Sequence, residues 1–317
     1  MPITATISQI TKLRTSHLTQ DLDLTGEEVL GLFELTTKVK HTRRRYWHAL
    51  SGRYLALLFE KPSLRTRLTF ELAIKQLGGD CVFSEYNGAR IGDREPIKDV
   101  ARNLERWVHG IVARTHEQAT IEELARWAAI PVINALSDVY HPCQALADFF
   151  TLQERFGRLE GLKLAFVGDG NNVAHSLMLC ASRLGVEMVV ATPKGYEPKA
   201  EIVAAAQGLA QASGSRLRFT GDPGEAVEGA HAVYTDVWAS MGKESEAALR
   251  RQAFAPFQVT VNLMAAARPE AIFLHCLPAH RGEEVSAAVM EAPSSAIFDQ
   301  AENRLHVQKA LLLMMLS

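Results

Sequence analysis

The first half of the chain alternates between short, mainly apolar segments and longer segments whose apolar residues recur at helical spacing. Short apolar segments bounded by polar or glycine-containing turns are typical of buried strands, and the longer ones predict amphipathic helices. Regular alternation of the two predicts a parallel sheet with helices packed on it. The predicted strands are 54–59, 80–83, 110–114 and 131–135, and helices are predicted at 68–77, 100–107 and 121–129.

The same alternation starts again after a polar segment, 155–161, that is typical of a link between domains. Thr25 and Glu28 also predict a capping box at the start of an early helix. The sequence therefore predicts an α/β protein of two domains, each a parallel β-sheet flanked by helices. Further strands are predicted at 162–167, 187–191, 230–238, 259–262 and 272–277, and a last helix is predicted over 307–316.

Composition narrows the class of protein without identifying it. The 317 residues are 47% hydrophobic and 22% charged with a net charge of -2, which gives no indication of nucleic-acid or membrane binding. No apolar run is long enough for a membrane span. The four cysteines have no C-x-x-C spacing, which favours a reducing, cytoplasmic location over disulfides or structural zinc.

The turn after the first strand predicts an anion site. Ser63, Arg65 and Thr66 lie between the strand and the following helix. The first N–H groups of a helix have no partner within the helix, and together with the helix dipole they attract phosphate. Hydroxyls and a planar guanidinium would add donors, although an N-cap serine with solvated arginines is the alternative. The turn is not a Walker loop, because G-x-x-x-x-G-K-[ST] is absent.

Other polar residues follow predicted strands, where ligands bind in parallel sheets. Arg114 ends one strand, and His141 precedes a helix with Pro142 in its first turn. The glycine-containing turn 168–174 superficially resembles a dinucleotide fingerprint, but Val173 replaces its third glycine. The next strand also lacks an acid for a ribose, so a nicotinamide dehydrogenase is disfavoured.

Five short motifs follow one another along the chain: S-L-R-T-R at Ser63, H-P-C-Q at His141, D-V-W-A-S-M-G at Asp236, H-C-L-P-A-H-R-G at His275 and E-N-R at Glu302. In this order they resemble the motifs of the ornithine carbamoyltransferases, and the resemblance extends from about Leu18 to the last helix. The resemblance implies two α/β domains of the aspartate/ornithine carbamoyltransferase fold. These would be a carbamoyl-phosphate domain (1–148), an ornithine domain (149–299) and a C-terminal helix (300–317) that returns to the first.

The implied reaction transfers a carbamoyl group from carbamoyl phosphate to the δ-amine of L-ornithine, giving L-citrulline in arginine metabolism. A neutral amine can attack the carbonyl carbon directly, so neither a metal nor a cofactor is expected. The resemblance assigns carbamoyl phosphate to Ser63, the Leu64 backbone, Arg65, Thr66, Arg90, Arg114, His141, Gln144, Cys276, Leu277 and Arg304. It assigns ornithine to Asn172, Asp236, Ser240 and Met241, and catalysis to Arg114, His141, Cys276 and Arg304.

The resemblance also implies a homotrimer, or a multiple of trimers, with active sites at subunit interfaces. Two positions depart from the family pattern, because Leu64 replaces a threonine and Arg90 stands where glutamine is usual. Arg90 lies in a loop, 84–96, that is expected to reach a neighbouring subunit.

Several alternatives remain open at the level of sequence. Enzymes that carbamoylate N-acetylornithine, succinylornithine or putrescine would not need the same contacts to the α-amine. An aspartate enzyme would differ over 236–242 and lack Cys276. A catalytically silent subunit that only binds carbamoyl phosphate is a further alternative from outside the enzymes.

Overall fold

Two parallel sheets organise the part of the chain described by this computed structural model, residues 10–86, 88–239 and 244–317. The chain divides into unit 1, Met1–Leu146 with Glu302–Ser317, and unit 2, Ala147–Ala301. Both boundaries fall inside helices, because Pro142–Phe156 and Ile297–Leu316 are each continuous. Each unit is described separately below.

Unit 1 contains a four-stranded parallel sheet with the strand order β2-β1-β3-β4. The order reverses direction between β1 and β3, so the turns after these two strands diverge at a topological switch point. Ligands of parallel sheets bind at such points. The elements are α1 Gly26–His41, β1 Tyr54–Phe59, α2 Leu64–Gln76, β2 Asp80–Glu85, α3 Ile97–Trp107, β3 Gly110–Arg114, α4 Gln118–Trp127, β4 Val132–Leu136 and the start of α5 Pro142–Phe156.

Local sequence signals account for these elements. In α1, the Thr25 side chain accepts a hydrogen bond from the Glu28 N–H, and the Glu28 carboxylate accepts one from the Thr25 N–H. This confirms the predicted capping box. Strand β1 is buried along all but its first residue, as expected for a strand covered on both faces. The predicted strand 54–59 is confirmed residue for residue.

Unit 2 contains a five-stranded parallel sheet with the order β7-β6-β5-β8-β9. Its switch point lies between β5 and β8. The elements are the end of α5, β5 Lys163–Val167, α6 Asn172–Arg183, β6 Glu187–Ala191, α7 Ala200–Ser213, β7 Leu217–Thr220, α8 Pro223–Val227, β8 Ala232–Thr235, α9 Ala247–Phe254, α10 Val261–Met264, β9 Ile272–His275, α11 Ala287–Met290 and the start of α12 Ile297–Leu316.

The sequence prediction of a two-sheet α/β architecture is confirmed, and two of its elements differ. The predicted strand 259–262 is wrong, because the Thr260 side chain accepts from the Leu263 N–H and so caps the short helix α10. The last helix begins at Ile297 rather than at 307. Glu302 and Arg304 are therefore helical residues. The apolar spacing predicted the start of this helix too late, because the polar side chains of its first turns interrupt that spacing.

None of the described helices is both long enough and apolar enough to cross a membrane. All four cysteines are thiols: Cys143 and Cys180 are buried, and Cys81 and Cys276 are partly buried.

Candidate functional site

The switch point of unit 1 brings the predicted phosphate turn next to Arg114. Ser63 caps α2, accepting a hydrogen bond at Oγ from the Thr66 N–H at 3.2 Å. Arg114 is the last residue of β3 and lies opposite Phe59, the last residue of β1. The register between β3 and β4 shifts at Arg114, a local irregularity that is common beside active sites. The two predicted anion-binding elements therefore share one sheet edge.

Helix α12 adds a second buried arginine to this edge. Arg304 Nη2 donates a hydrogen bond to Thr66 Oγ1 at 2.8 Å, and both side chains are buried. Ser63 Oγ also donates to Thr66 Oγ1, at 3.0 Å. The structure thus brings together Ser63, Thr66 and Arg304, although Thr66 and Arg304 are 238 residues apart in the sequence.

His141 and Gln144 are buried, His141 directly before α5 and Gln144 in its first turn, after the short loop that follows β4. Burial lowers the pKa of His141 well below its usual value, and the nearby charges of Arg304 and Arg114 lower this pKa further. The ring is therefore neutral near pH 7. A neutral imidazole can donate one N–H to a ligand oxygen while the two arginines supply positive charge.

The remaining predicted residues of this half-site are more exposed. Leu64 is 71% exposed, so its side chain contributes nothing to a buried pocket. Arg65 is half-buried in the first turn of α2. Arg90 is exposed and forms an ion pair with Glu117 of the same chain.

Sequence reasoning missed Glu60, a buried carboxylate directly before the phosphate turn. Its two oxygens accept hydrogen bonds from the Ile91 and His116 N–H groups, each at 2.7 Å. Glu60 therefore ties the Arg90 loop and the segment after Arg114 to the end of β1. The only signal in the sequence was an acid at the end of an apolar strand.

The switch point of unit 2 carries a buried carboxylate, Asp236, directly after β8. Asn171 Nδ2 donates to Asp236 Oδ2 at 2.8 Å, and Cys276 Sγ donates to Oδ1 at 3.0 Å. The Val237 N–H also donates to Oδ1, at 2.8 Å. The ends of β5, β8 and β9 therefore converge on one anionic group.

Asn172, the predicted ornithine residue, is the first residue of α6, whereas the adjacent Asn171 contacts Asp236. Asn171 also caps α6, accepting from the Val173 and Ala174 N–H groups. The position of Asn171 before the first residue of the predicted helix was the signal in the sequence that could have identified it as a site residue. The predicted residues Ser240 and Met241 lie outside the described residues.

Leu277 follows Cys276 in an unusual conformation. Its φ is +59°, a left-handed value that is strained for a residue with a large side chain. The Leu277 N–H donates to His275 Nδ1 at 2.8 Å. The Cys276 thiol and the Leu277 carbonyl thus belong to a turn with an unfavourable backbone conformation, which other contacts must stabilise.

The geometry around Asp236 and at the turn 168–174 does not favour a metal or a dinucleotide there. Asp236, His275 and Cys276 have ligand atoms within 4.8 Å of one another, but both ring nitrogens of His275 already face hydrogen-bonding partners. In the turn that resembles a dinucleotide fingerprint, a Cβ on Gly170 would lie 2.3 Å from the Pro198 nitrogen. A dinucleotide-binding turn instead keeps the space beside this glycine for pyrophosphate.

Both halves of the chain match known protein families. Residues 16–154 match the family described as "Aspartate/ornithine carbamoyltransferase, carbamoyl-P binding domain". Residues 160–315 match "Aspartate/ornithine carbamoyltransferase, Asp/Orn binding domain".

Relatives and solved structures extend this similarity over the full chain. The chain is 49% identical over 318 residues to an ornithine carbamoyltransferase of Anoxybacillus flavithermus, covering 100% of each chain. It is 55% identical over 268 residues to that of Symbiobacterium thermophilum, covering 84% of this chain and 86% of the relative. The solved ornithine carbamoyltransferase of Pyrococcus furiosus is 46% identical with a TM-score of 0.93, covering 97% of this chain and 99% of that one.

Proposed function

The chain belongs to the aspartate/ornithine carbamoyltransferase family, and on that premise we propose that it carries out the ornithine reaction. The carbamoyl group of carbamoyl phosphate passes to the δ-amine of L-ornithine, and L-citrulline and phosphate are the products. The half-site of unit 1 takes carbamoyl phosphate, and the half-site of unit 2 takes ornithine.

Positive charge in unit 1 supports its assignment to carbamoyl phosphate. The phosphate is held by the Ser63 turn, and the carbonyl oxygen lies against the group formed by Thr66, Arg304 and His141. Charge develops on both during the reaction, and fixed donors at these places stabilise the transition state. The phosphate ligands are Ser63, the Leu64 N–H, Arg65, Thr66 and Arg114, and the carbonyl ligands are Thr66, Arg114, His141 and Arg304.

The observation that carries the choice of ornithine is the set of bonds around Asp236. Its carboxylate accepts three hydrogen bonds from described residues, whereas an ionised carboxylate offers about four acceptor positions. A buried carboxylate is costly unless it is paired with a cation. The α-ammonium of ornithine supplies that cation and takes the remaining acceptor position. Asn172 and the Met241 backbone hold the α-carboxylate, and Ser240 also contributes to ornithine binding.

The chemistry requires a neutral δ-amine, because its lone pair forms the new C–N bond. An alkyl amine of this kind has a pKa of about 10.4 in water, so the bound amine must lose a proton. Cys276 and Asp236 relay that proton, and no covalent cysteine adduct forms. The C–O bond to phosphate then breaks, and phosphate leaves with the bonding electron pair. Gln144 holds the carbamoyl NH2 group during transfer.

A product assay tests the choice of acceptor. The purified chain is supplied with carbamoyl phosphate and, separately, ornithine, N-acetylornithine, putrescine or aspartate. The proposal requires citrulline and phosphate in equal amounts, with ornithine giving the highest kcat/KM. A higher kcat/KM with N-acetylornithine, whose α-nitrogen is an uncharged amide, would show that Asp236 does not select for an α-ammonium group. A higher kcat/KM with putrescine, which lacks only the α-carboxylate, would contradict the contacts assigned to that carboxylate.

We further propose that the enzyme is a cytoplasmic homotrimer. Leu64, Leu68 and Leu72 repeat at helical spacing along α2 and are all exposed. Exposed apolar surface of this kind marks a contact with another chain. Light scattering at several protein concentrations tests this proposal, with the mass of three chains, or a multiple of it, as the expected result.

A further inference from the structure

The turn that displays Cys276 and Leu277 is held by a hydrogen bond from the protein interior. Leu277 is in the left-handed region, and such residues persist only where the surroundings favour them. Its N–H donates to His275 Nδ1, two residues back along the chain. Since Nδ1 accepts this bond, the ring proton of a neutral His275 resides on Nε2.

His275 is in turn held by a completely buried carboxylate. The His275 Nε2 and Glu284 Oε1 atoms are 3.1 Å apart, and both side chains are inaccessible to solvent. With its proton on Nε2, His275 donates to Glu284. Glu284 Oε1 also accepts from the His280 N–H at 2.6 Å. The carboxylate thus fixes the ring tautomer in which Nδ1 is free to accept from Leu277.

The backbone around both residues is also fixed. The His275 N–H donates to Gln300 Oε1 at 2.9 Å, and the Glu284 carbonyl accepts from the Val259 N–H at 2.8 Å. Among the described residues, Glu284 Oε2 has no hydrogen-bond partner. A buried carboxylate with an unsatisfied oxygen is unfavourable for folding. Its presence is understandable if it has a task beyond stability.

We propose that His275 and Glu284 are positioning residues for carbamoyl transfer, which rests on the function proposed above. They fix the backbone at Leu277 and hold the Cys276 thiol against Asp236. Neither side chain touches a substrate. They act through the conformation of the Cys276–Leu277 turn.

Three substitutions separate these effects. His275→Leu removes both ring contacts. His275→Asn places an amide oxygen near the position of Nδ1, so it keeps an acceptor for the Leu277 N–H. Glu284→Gln keeps an oxygen that can accept from His275 and His280 and replaces only the oxygen without a partner.

His231 provides a matched control in the same unit. It is buried, and its Nδ1 also accepts a backbone N–H, from Lys163 at 2.9 Å. It lies directly before β8, at the opposite end of that strand from Asp236. His231→Leu therefore removes a comparable structural bond without disturbing the turn.

The readouts are kcat, the KM for carbamoyl phosphate, and the alkylation rate of Cys276 by iodoacetamide, followed by peptide mass spectrometry. Cys81 serves as an internal reference, because burial raises the pKa of its thiol to about 11. His275→Leu should lower kcat about ten- to a hundredfold, the scale expected for displaced reacting groups. It should leave the carbamoyl-phosphate KM nearly unchanged and speed Cys276 alkylation severalfold.

Unlike His275→Leu, the variants His275→Asn and Glu284→Gln should keep most of kcat and the slow alkylation of Cys276. The inference is overturned if His275→Leu and His231→Leu change kcat and alkylation equally, or if folded His275→Asn behaves like His275→Leu. Should His275→Leu not fold, Glu284→Leu replaces it in the same comparison. If the unsubstituted enzyme makes no citrulline, the proposed function fails, while the alkylation rates still test whether this pair holds the turn.

Discussion

The half-sites of the two units are built alike but carry opposite charge. Each lies at the switch point of a parallel sheet, where turns from neighbouring strands diverge. The half-site of unit 1 contains two buried arginines, Arg114 and Arg304, whereas the half-site of unit 2 is centred on the buried carboxylate of Asp236. The same architecture therefore suits an anionic substrate in one unit and an ammonium group in the other.

The two half-sites also differ in how they are assembled. In unit 1, one turn supplies Ser63 and Thr66, and the long side chain of Arg304 reaches Thr66 from α12. In unit 2, single short side chains at the ends of three strands meet on Asp236. Substitutions in unit 1 should therefore mainly affect stabilisation of phosphate and carbonyl charge, and substitutions in unit 2 should mainly affect recognition of the amine.

The largest effect is expected from Arg304→Gln. The substitution removes a buried positive charge beside Thr66, where charge develops on the carbonyl oxygen. Loss of one such donor lowers kcat about 10²–10³-fold in comparable sites. Steady-state kinetics should show this loss in kcat with little change in the KM for ornithine.

Lys309→Gln is the matched control for that experiment. Lys309 is buried on the same helix, and its Nζ donates to Gln76 Oε1 at 3.2 Å. Gln76 is ten residues after Thr66 on α2, about 15 Å along the helix at 1.5 Å per residue. Lys309→Gln should reduce stability while keeping kcat. Equal losses of kcat in both variants would mean that Arg304 acts through folding alone.

Asp236→Asn should have the next largest effect. It removes the charge that we assign to the α-ammonium group, and a hydrogen bond to a charged group contributes about 1.5–3 kcal/mol. The kcat/KM for ornithine should fall accordingly, on the order of ten- to a hundredfold.

N-acetylornithine separates amine recognition from proton relay in the Asp236→Asn variant. Its α-nitrogen is an uncharged amide, but its δ-amine needs the same deprotonation before attack. The variant should therefore lose less kcat/KM with N-acetylornithine than with ornithine. Equal losses with both amines would assign Asp236 to proton relay only.

Sequence alone predicted the half-site of unit 1 more fully than that of unit 2. The anion site at Ser63 could be expected because a single turn shows both the end of a strand and the start of a helix. The pairing of Thr66 with Arg304 could not be derived from spacing, since it depends on how α12 packs. In unit 2, spacing located the turn at Asn171 and Asn172, but only the three-dimensional structure shows which amide contacts Asp236.

A smaller effect is expected from Arg90, which we propose acts on the site of a neighbouring subunit. Arg90→Ala and Arg65→Ala should each be impaired. After the two impaired variants are mixed and reassembled, roughly a quarter of sites in a cyclic oligomer would combine both intact arginines. Partial return of activity is expected. No return would place Arg90 in its own subunit's site, and full activity of Arg90→Ala alone would leave it as a surface partner of Glu117.

The smallest effect is on pH-dependent stability. The pKa of folded His141 lies well below its usual value, mainly because the ring is buried. Below about pH 6.5 the unfolded chain therefore binds a proton that the folded chain does not. Stability should fall as the pH is lowered from this value toward the folded pKa, by at most about 1.4 kcal/mol per pH unit.

Urea unfolding at one protein concentration and without substrates measures this dependence. His141→Asn should have a shallower loss of stability between neutral pH and pH 5 than the unsubstituted chain. His48→Asn, at an exposed position, is the control. Identical slopes for all three proteins would show that burial of His141 does not contribute to acid sensitivity.

The division of charge between the units is tested most directly by crossed titrations of Arg304→Gln and Asp236→Asn. The affinity for carbamoyl phosphate is measured by calorimetry, and the KM for ornithine is measured at saturating carbamoyl phosphate. Arg304→Gln should lower the affinity for carbamoyl phosphate and leave the KM for ornithine unchanged. Asp236→Asn should raise the KM for ornithine and leave the affinity for carbamoyl phosphate unchanged. If each variant weakened both substrates to the same extent, the assignment of one substrate to each unit would be contradicted.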